Sequence, residues 1–257
     1  METSLFGEIV FGPIRSRRLG ISLGVNLLPV DGKVCSFDCI YCECGYNADN
    51  RGGKLPTRAE VKEALEKRLA ELRKENVTPD VFTFAGNGEP TLHPEFAGIM
   101  EDTMRLRDQY FPKAKISVLS NSTRIGVKEV FDTLMKVDNN ILKLDSVFPE
   151  TIRLIDAPNT ESFDVDKVID DLCRFDGNVI IQTMFLRGEH NGHIVDNTTF
   201  KEIEGLLQAY LRIRPKQVMI YSLDRPTPEK NLQKVSLDEL EQIAERFRAA
   251  GIEVSVA

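Results

Sequence analysis

The stretch Val34-Cys35-Ser36-Phe37-Asp38-Cys39-Ile40-Tyr41-Cys42 holds three cysteines, with three and then two residues between them. Thiolates are the usual ligands of iron–sulfur clusters, and a short loop lets several of them converge on one cluster. An electron-transfer cluster takes four cysteines, so three leave one iron without a protein thiolate. The stretch therefore predicts a cluster with an iron at which a substrate or cofactor can bind.

Other thiol sites fit the cysteines less well. Structural zinc takes four Cys or His ligands, commonly from two separated pairs, and the sequence offers no matching second pair. His93 is distant and an odd fourth ligand, and a redox dithiol is less expected still. A disulfide framework is typical of small secreted domains. Of the two remaining cysteines, we expect Cys44 to be a bystander near the cluster and Cys173 to lie in the core.

Beyond about residue 55, short apolar runs alternate with amphipathic segments, as where Val61, Leu65, Leu69 and Leu72 recur three or four residues apart. This alternation predicts parallel strands joined by crossover helices. A doubly wound sheet is possible, but a partial (β/α)6 barrel of the TIM type suits the length and the loops better. The predicted strands are 22–28, 81–85, 115–120, 141–145, 179–185, 217–222 and 253–256, and the predicted helices are 57–76, 94–108, 127–137, 164–175, 199–211 and 236–249.

The bulk composition sets the expected organisation and location. We predict one domain over 1–257, with an N-terminal extension over about 1–18 and a cluster-binding loop over about 29–55. The apolar runs are too short to span a bilayer and the N-terminus lacks a signal-peptide apolar region, which predicts a cytoplasmic protein. The net charge of −7 argues mildly against a large nucleic-acid footprint. Arg15, Arg17 and Arg18 form a local basic cluster, which we interpret first as a solvated patch.

The cysteine loop also carries a family resemblance. A CxxxCxxC loop with an aromatic residue before its last cysteine resembles the signature of the radical S-adenosylmethionine (SAM) superfamily. The resemblance implies that Cys35, Cys39 and Cys42 hold one 4Fe-4S cluster and that Tyr41 lies against the adenine of SAM. Arg17-Arg18-Leu19-Gly20 and Arg225-Pro226 are similar to a subgroup of short radical SAM proteins, which is related to the enzymes that build wybutosine in tRNA.

A second stretch supports this resemblance. Gly86-Asn87-Gly88-Glu89-Pro90 follows the strand predicted over 81–85, where glycines let the backbone approach a ligand closely. One βα unit after the cysteine loop, it resembles the GGEP motif of the superfamily, with Asn87 in place of a glycine. The resemblance implies that Glu89 binds the methionine amino group of SAM.

Polar residues near the ends of later strands are expected at the barrel mouth, where ribose and carboxylate groups would sit. Such residues are also common caps and turn formers. The candidates are Ser120, Asn121, Asp145, Gln182 and Tyr221. The polar loop 187–193 holds two of the three histidines, and we expect a solvent loop or a wall of the substrate cavity.

The resemblance implies a reaction. One electron from the reduced cluster cleaves SAM to a 5′-deoxyadenosyl radical, which abstracts hydrogen from a substrate, while the protein holds the cofactor. The electron would come from a donor such as flavodoxin or ferredoxin. A small metabolite or peptide is the favoured substrate, with RNA and a non-catalytic metal-binding module as the alternatives. No residue is assigned a catalytic role from the sequence.

Overall fold

The computed structural model describes residues 4–16, 18–47 and 53–257 of the chain. Its strands are β1 (Val10–Ser16), β2 (Gly20–Val25), β3 (Val81–Phe84), β4 (Lys115–Ser120), β5 (Asn139–Lys143), β6 (Ile180–His190), β7 (His193–Asp196), β8 (Gln217–Ser222), β9 (Leu232–Lys234) and β10 (Val254–Val256). Its α-helices are α1 (Arg58–Lys74), α2 (Phe96–Tyr110), α3 (Lys128–Leu134), α4 (Pro149–Ile155), α5 (Val165–Cys173), α6 (Phe200–Ile213) and α7 (Leu237–Ala249), and a 3-10 turn covers Pro90–Leu92.

The strand order identifies the architecture. The main sheet runs β1-β2-β3-β4-β5-β6-β8-β10, and every neighbouring pair from β2 onward is parallel. A doubly wound sheet reverses its strand order at a switch point, whereas this order advances in one direction. Right-handed crossovers in one direction place the helices on one face, as in a (β/α) barrel. The predicted partial barrel is therefore confirmed.

The two faces of the sheet bury different residues. Leu142, Ile181 and Ile220 point toward the helices and belong to the main hydrophobic core. Side chains alternate along a strand, so their neighbours point the other way. We call that opposite side the inner face, and the residues that define it here are Lys143, Gln182, Met184, Met219 and Tyr221.

Local sequence signals fix the helix starts. Thr57 caps α1, because its hydroxyl oxygen accepts the Glu60 N–H at 3.2 Å while the Glu60 carboxylate accepts the Thr57 N–H at 2.6 Å. Asp164, Thr199 and Ser236 likewise cap α5, α6 and α7. The six predicted helices are present, and each starts within two residues of its predicted start.

The beginning of the chain differs from the prediction. Residues Val10–Ser16, within the predicted extension, form β1, which pairs antiparallel with β2 along one edge of the sheet. The first parallel strand ends at Val25 rather than at Leu28. There the Asn26 side chain donates to the Leu28 carbonyl at 3.0 Å and accepts its N–H at 3.2 Å, which turns the chain.

The polar segment 187–193 is a β-hairpin rather than a loop. β6 continues through it to His190, and β7 returns antiparallel, with Arg187 opposite Asp196. β9 pairs antiparallel with the same part of β6. Together these strands form a small sheet that continues from the carboxyl end of β6. Helix α4, between β5 and α5, is a further element that the sequence pattern did not predict.

Within the described residues, no helix is both long enough and apolar enough to cross a bilayer.

Candidate functional site

The cysteine loop begins directly after β2 and is clamped to the turn that follows β3. Val34 N–H donates to the Asn87 carbonyl at 3.0 Å, and Glu89 N–H donates to the Val34 carbonyl at 3.1 Å. A Cβ at Gly88, where φ is +128°, would lie 2.0 Å from the Val34 carbonyl oxygen. Glycine is required here because the backbone of the cysteine loop occupies the space of a side chain. The residue clamped in this way immediately precedes Cys35.

Each of the three predicted ligand thiols has a polar donor beside it. Asn121 Nδ2 lies 3.5 Å from Cys35 Sγ, and Lys143 Nζ lies 3.0 Å from Cys39 Sγ. Lys33 is buried beside Cys42, and its ammonium group donates to the Gly45 carbonyl at 2.6 Å. Hydrogen-bond donors and positive charge at sulfur favour thiolate over thiol. These donors would stabilise the sulfurs as thiolates once they bind a cluster, in opposition to the burial of Cys35 and Cys39.

The thiols titrate differently in the free chain. Burial raises the pKa of Cys35 to about 11 and that of Cys39 well above its ordinary value, although Lys143 opposes the second shift. A hydrogen bond from Cys44, supported by the Lys33 charge, lowers the pKa of Cys42 to about 6. The same hydrogen bond, together with burial, raises the pKa of Cys44. Cys42 is therefore the first of these cysteines to become a thiolate.

The remaining cysteines occupy two different places. Cys44 is buried against the turn after β3, with its Sγ 3.4 Å from the Gly86 carbonyl oxygen. Its predicted bystander role is compatible with this position and stays a prediction. Cys173 lies at the end of α5, where it packs partly buried against the main core.

The turn from Gly86 to Pro90 is shaped by contacts within the protein. A Cβ at Gly86 would meet Asn26 Oδ1 at 2.4 Å. The Asn87 side chain is fully buried: its amide donates to the Phe6 and Pro29 carbonyls at 3.0 and 2.8 Å, and its Oδ1 accepts the Phe6 N–H at 2.8 Å. Because these contacts occupy the Asn87 side chain, its backbone is the part that could make the predicted contact with a cofactor.

Glu89 is a buried carboxylate surrounded by neutral donors. One oxygen accepts the Asn121 N–H at 2.6 Å, and the other accepts the Thr91 N–H at 3.0 Å and the Thr91 hydroxyl at 2.5 Å. Burial raises the pKa of Glu89, which these hydrogen bonds oppose. No lysine or arginine among the residues of known placement pairs with this carboxylate. It can therefore accept an ammonium group from a ligand.

Ser120 and Asn121 lie where β4 ends beside the cysteine loop. Asn121 Nδ2 donates to Ser36 Oγ at 2.9 Å, and its Oδ1 accepts the Thr123 N–H at 3.1 Å. The Ser120 hydroxyl accepts the Ser122 N–H at 3.1 Å. Asn121 joins the Glu89 carboxylate to the Cys35 and Ser36 side chains, so the predicted residues Cys35, Glu89 and Asn121 lie together.

Tyr41 and Asp145 belong to a buried charge network centred on Lys143, which sequence reasoning missed. The Tyr41 hydroxyl donates to Asp145, and Lys143 Nζ lies 3.3 Å from Asp145 Oδ2 and 2.5 Å from Asp156 Oδ1. Lys143 Nζ also lies 4.7 Å from the centre of the Tyr41 ring. A lysine between Leu142 and Leu144 in an apolar strand is the signal that could have found it.

The network holds Lys143 as a cation. Burial lowers the pKa of Lys143, but Asp145 and Asp156 together raise it well above its ordinary value. Burial raises the pKa of Asp156 to about 7, against the attraction of Lys143. Burial, with Asp145 beside it, raises the pKa of Tyr41 well above its ordinary value, so the phenol keeps its proton. Tyr41, which is predicted to contact the adenine, therefore lies against Lys143, the same cation that lies beside Cys39.

Gln182 and Tyr221 lie on the inner face beside Arg18. Arg18 Nη1 donates to Gln182 Oε1 at 3.3 Å, and its guanidinium carbon lies 4.5 Å from the centre of the Tyr221 ring. The basic cluster predicted from the sequence is therefore split, because Arg15 is exposed on β1 while Arg18 turns inward. Arg17, the third member, lies outside the described residues.

The pair Arg225-Pro226, the other stretch that resembles the subgroup, lies beside the cysteine loop. Arg225 Nη1 donates to Glu43 Oε2 at 2.7 Å, and so joins the segment after β8 to this loop. On the hairpin, His190 Nδ1 lies 3.4 Å from Glu229 Oε2, and Glu229 also accepts the Tyr46 hydroxyl at 2.5 Å. These contacts bring the small sheet and the cysteine loop to one end of the barrel.

The sequence matches the model of a known protein superfamily. The Radical SAM superfamily model matches residues 30–200, and the chain belongs to this superfamily. Its members are enzymes that bind a 4Fe-4S cluster and SAM. The chain also belongs to the UPF0026 family: it is 30% identical over 240 residues to a UPF0026 protein of Helicobacter pylori, covering 90% of this chain and 71% of that protein.

Another relative is much longer than this chain. A Brachyspira hyodysenteriae protein named GTPase Obg is 29% identical over 253 residues, which are 96% of this chain and 35% of that protein. The chain thus spans about a third of the length of that relative. The single-domain organisation over 1–257 stays a prediction.

Solved structures share the fold. A radical SAM methyltransferase from Sphaerobacter thermophilus superposes with a TM-score of 0.68 at 17% identity, over 92% of this chain and 65% of that one. TYW1 with a lysine-pyruvate adduct bound gives a TM-score of 0.60 at 15% identity, over 89% of this chain and 73% of that one. At these identities the likeness concerns the fold.

Proposed function

We propose that this chain is an enzyme that reductively cleaves SAM at a 4Fe-4S cluster held by Cys35, Cys39 and Cys42, and that hydrogen is then abstracted from a substrate. The observation that carries the proposal is the clamp between Val34 and the Gly86–Pro90 turn. It joins the three-cysteine loop to the turn that carries a buried carboxylate, Glu89, with no basic partner in the described ranges.

The donor set fits a cluster better than a single ion. Three thiols with adjacent N–H donors match the thiolate ligands of 4Fe-4S centres, whose potentials respond to such hydrogen bonds. No group of three or more His, Cys, Asp or Glu side chains in 4–16, 18–47 and 53–257 is arranged to chelate one metal ion. Thiolates of a cluster bind different irons and need not converge on one point.

The residues of the turn and inner face would hold SAM. Glu89 would accept its ammonium group, Tyr41 would lie against the adenine, and the backbone of Gly86, Asn87, Gly88 and Pro90 would line the methionine end. The polar side chains at the strand ends would bind the ribose and carboxylate: Ser120, Asn121, Asp145, Gln182 and Tyr221. When bound, the cluster and SAM supply a 5′-deoxyadenosyl radical after one-electron reduction.

The chain's own residues would prepare this site for radical chemistry. Lys143 holds Tyr41 and Cys39 in one network, so that the adenine surface and a cluster ligand stay in register. The apolar side chains of Ile40, Met184 and Leu223 exclude water beside that network. Exclusion of water and oxygen protects a reactive intermediate.

The substrate and partners form the finer part of the proposal. A small metabolite or peptide suits the inner face, which carries isolated polar groups among apolar ones. The reducing electron would come from flavodoxin or ferredoxin, in keeping with a cytoplasmic location. The net charge of −7 supports this substrate class over RNA.

An RNA substrate is the second candidate, because the fold is shared with TYW1 and because Arg15 is exposed on β1. Phosphate contacts release counterions, so RNA affinity would fall steeply with salt. A salt-independent interaction with RNA, or none, contradicts this candidate.

The test is anaerobic purification followed by incubation with SAM and a strong reductant. Wild type should be brown and form 5′-deoxyadenosine, while Cys35→Ala, Cys39→Ala and Cys42→Ala should each form none. Cys173→Ala is the control, since this thiol lies in α5 against the core. Cys44→Ala should keep the cluster if that thiol is a bystander. Turnover by any variant of the first three cysteines, or a colourless wild type that holds zinc, contradicts the proposal.

A further inference from the structure

The hairpin between β1 and β2 holds Arg18 in a defined place. The Ser16 hydroxyl accepts the N–H groups of Arg18 and Leu19, each at 3.2 Å, which closes the turn. Gly20 follows with φ of +80°, and a Cβ there would lie 2.5 Å from Asp80 Oδ2. Hydrogen bonds from Arg18 and Leu19 to Ser16, and the glycine that follows, therefore position the backbone at Arg18.

The turn directs the Arg18 side chain onto the inner face of the sheet. Its guanidinium group lies over the Tyr221 ring and donates to Gln182 Oε1. Leu19, next in the chain, packs against an apolar cluster on the same face, formed by Ile141, Ile180 and Met219. The hairpin thus adds the Arg18 cation to the inner face, next to an apolar cluster.

Among the described residues, no acidic side chain neutralises the charge of Arg18. Of the arginines that the structure describes, Arg18 alone is both partly buried and without an acidic partner within 4.0 Å; the other unpaired ones are exposed. Removing a cation from water is costly unless a counter-charge is supplied. One of its five N–H groups reaches a neutral amide oxygen, and the planar fork suits a carboxylate or phosphate.

We propose that Arg18 binds a carboxylate or phosphate group of the substrate, which makes the substrate of this enzyme an anion. The inference rests on the proposed function and adds to it the chemical class of the substrate. Tyr221 and Gln182 orient the guanidinium group, so that its free N–H groups meet an oxyanion on the inner face.

The experiment uses the anaerobic, cluster-loaded protein with SAM bound, and orthophosphate and malonate as the probes. Thermal unfolding is followed at constant ionic strength, with chloride as the reference anion. Wild type should unfold at a higher temperature with at least one probe, and Arg18→Met should weaken that binding about tenfold or more. Arg18→Lys should retain part of it, as a charge without the fork. Arg153→Met, at an exposed arginine of α4, is the control and should respond like wild type.

Other results would overturn the inference. Equal responses of wild type and Arg18→Met, or no response to either probe, contradict an oxyanion site at Arg18. The affinity for SAM, measured by equilibrium dialysis, separates a second explanation. If Arg18→Met weakens SAM binding and the probes compete with SAM, the guanidinium group holds the carboxylate of the cofactor instead, and the inference is wrong.

Formation of 5′-deoxyadenosine by wild type in the same samples distinguishes the two levels of failure. If it forms without any anion effect, the inference alone fails. If none forms, the proposed function fails and the inference with it. Circular dichroism of each variant verifies folding, and Arg18→Gln replaces Arg18→Met if the latter is unfolded.

Discussion

At the scale of single residues, Gly88 shows how a motif glycine serves the protein's own packing. The Gly86–Pro90 turn contacts the cysteine loop so closely that Val34 occupies the space of a Cβ at this position. The requirement for glycine is therefore set by the loop that carries the cysteines, in addition to any ligand. From the sequence, the glycines of this turn were explained only by close approach to a ligand. The pairing of Val34 with Gly88 joins residues far apart in the chain and so has no local signal.

Replacement of Gly88 by alanine should push the cysteine loop away and lower the iron and sulfide content of the reconstituted protein to less than half. Gly251→Ala is the matched control: its φ is also positive, at +85°, but nothing lies within 4 Å of the added Cβ. Iron and sulfide assays on both variants check this expectation. Full cluster loading of Gly88→Ala would show that the loop tolerates displacement.

Replacement of Lys143 by methionine removes a cation and an N–H donor from Cys39. Donors and positive charge at the sulfurs stabilise the reduced cluster, so the variant should have a more negative midpoint potential. An EPR-monitored redox titration measures this shift. Lys115→Met, an exposed lysine in β4, should leave the potential unchanged, and a Lys143→Met potential equal to that of wild type contradicts the assignment.

The residues found from the sequence are those with local signals. Cys35, Cys39 and Cys42 lie within one loop and were identified by their spacing, whereas Glu89 lies within one turn and was identified by the resemblance of that turn to a known motif. Lys143 contacts Cys39 and Asp156, and Arg18 contacts Gln182 and Tyr221. These partners are distant in sequence and come together only in the folded sheet. Spacing along the chain could not predict these contacts. The position of Lys143 inside an apolar strand did indicate an unusual environment.

At the scale of elements, strands with apolar runs and polar ends were predicted well. β4 and β8 have the predicted bounds, because both are buried strands bounded by polar or turn residues. β1 was missed because Gly12-Pro13 and the arginines give it the composition of a loop. β6 was predicted too short because its last residues are polar and partly exposed, since they pair within the small antiparallel sheet.

Helix α1 stabilises the fold through its apolar side, where Leu69 is fully buried. Leu69→Ala should lower the free energy of unfolding by about 2–5 kcal/mol, because it leaves a cavity against the sheet. Lys67→Ala, on the exposed side of the same helix, should change it by roughly 0.5 kcal/mol or less. Denaturant unfolding measures both, and equal effects of the two would contradict the packing described.

The contact between α1 and α2 should give the fold an acid-sensitive link. A hydrogen bond from Arg58, with Nε 2.6 Å from Asp102 Oδ2, lowers the pKa of Asp102 below its ordinary value of 3.8. The folded state then binds fewer protons than the unfolded state in acid. The stabilisation is complete above that ordinary pKa and is lost as the pH falls through the lowered one.

Asp102→Asn should therefore reduce the dependence of stability on pH in this acidic range. Asp108→Asn, at an exposed position of the same helix, serves as the control. Thermal unfolding across a pH series provides the measurement, and an unchanged pH slope in Asp102→Asn would count against the link.

At the scale of the whole molecule, ligand binding and folding are linked. A ligand that binds only the folded state at 100 times its Kd adds about 2.7 kcal/mol to stability, which for this size raises Tm by about 5–10 °C. SAM should produce such a rise in the cluster-loaded protein. Glu89→Gln should reduce it, because the amide lacks the charge that attracts the ammonium group. An equal rise in Glu89→Gln would remove Glu89 from the proposed site.

The first described residues of the chain are built into the site. Phe6 exchanges two hydrogen bonds with the Asn87 side chain, and Ser4 N–H donates to the Glu43 carbonyl at 3.0 Å, so this segment touches both the cluster loop and the turn. The described start of the chain therefore lies against both parts of the proposed site. β10 forms the opposite edge of the sheet, so a change near Ser4 and a change near β10 should differ in their effect on cluster assembly.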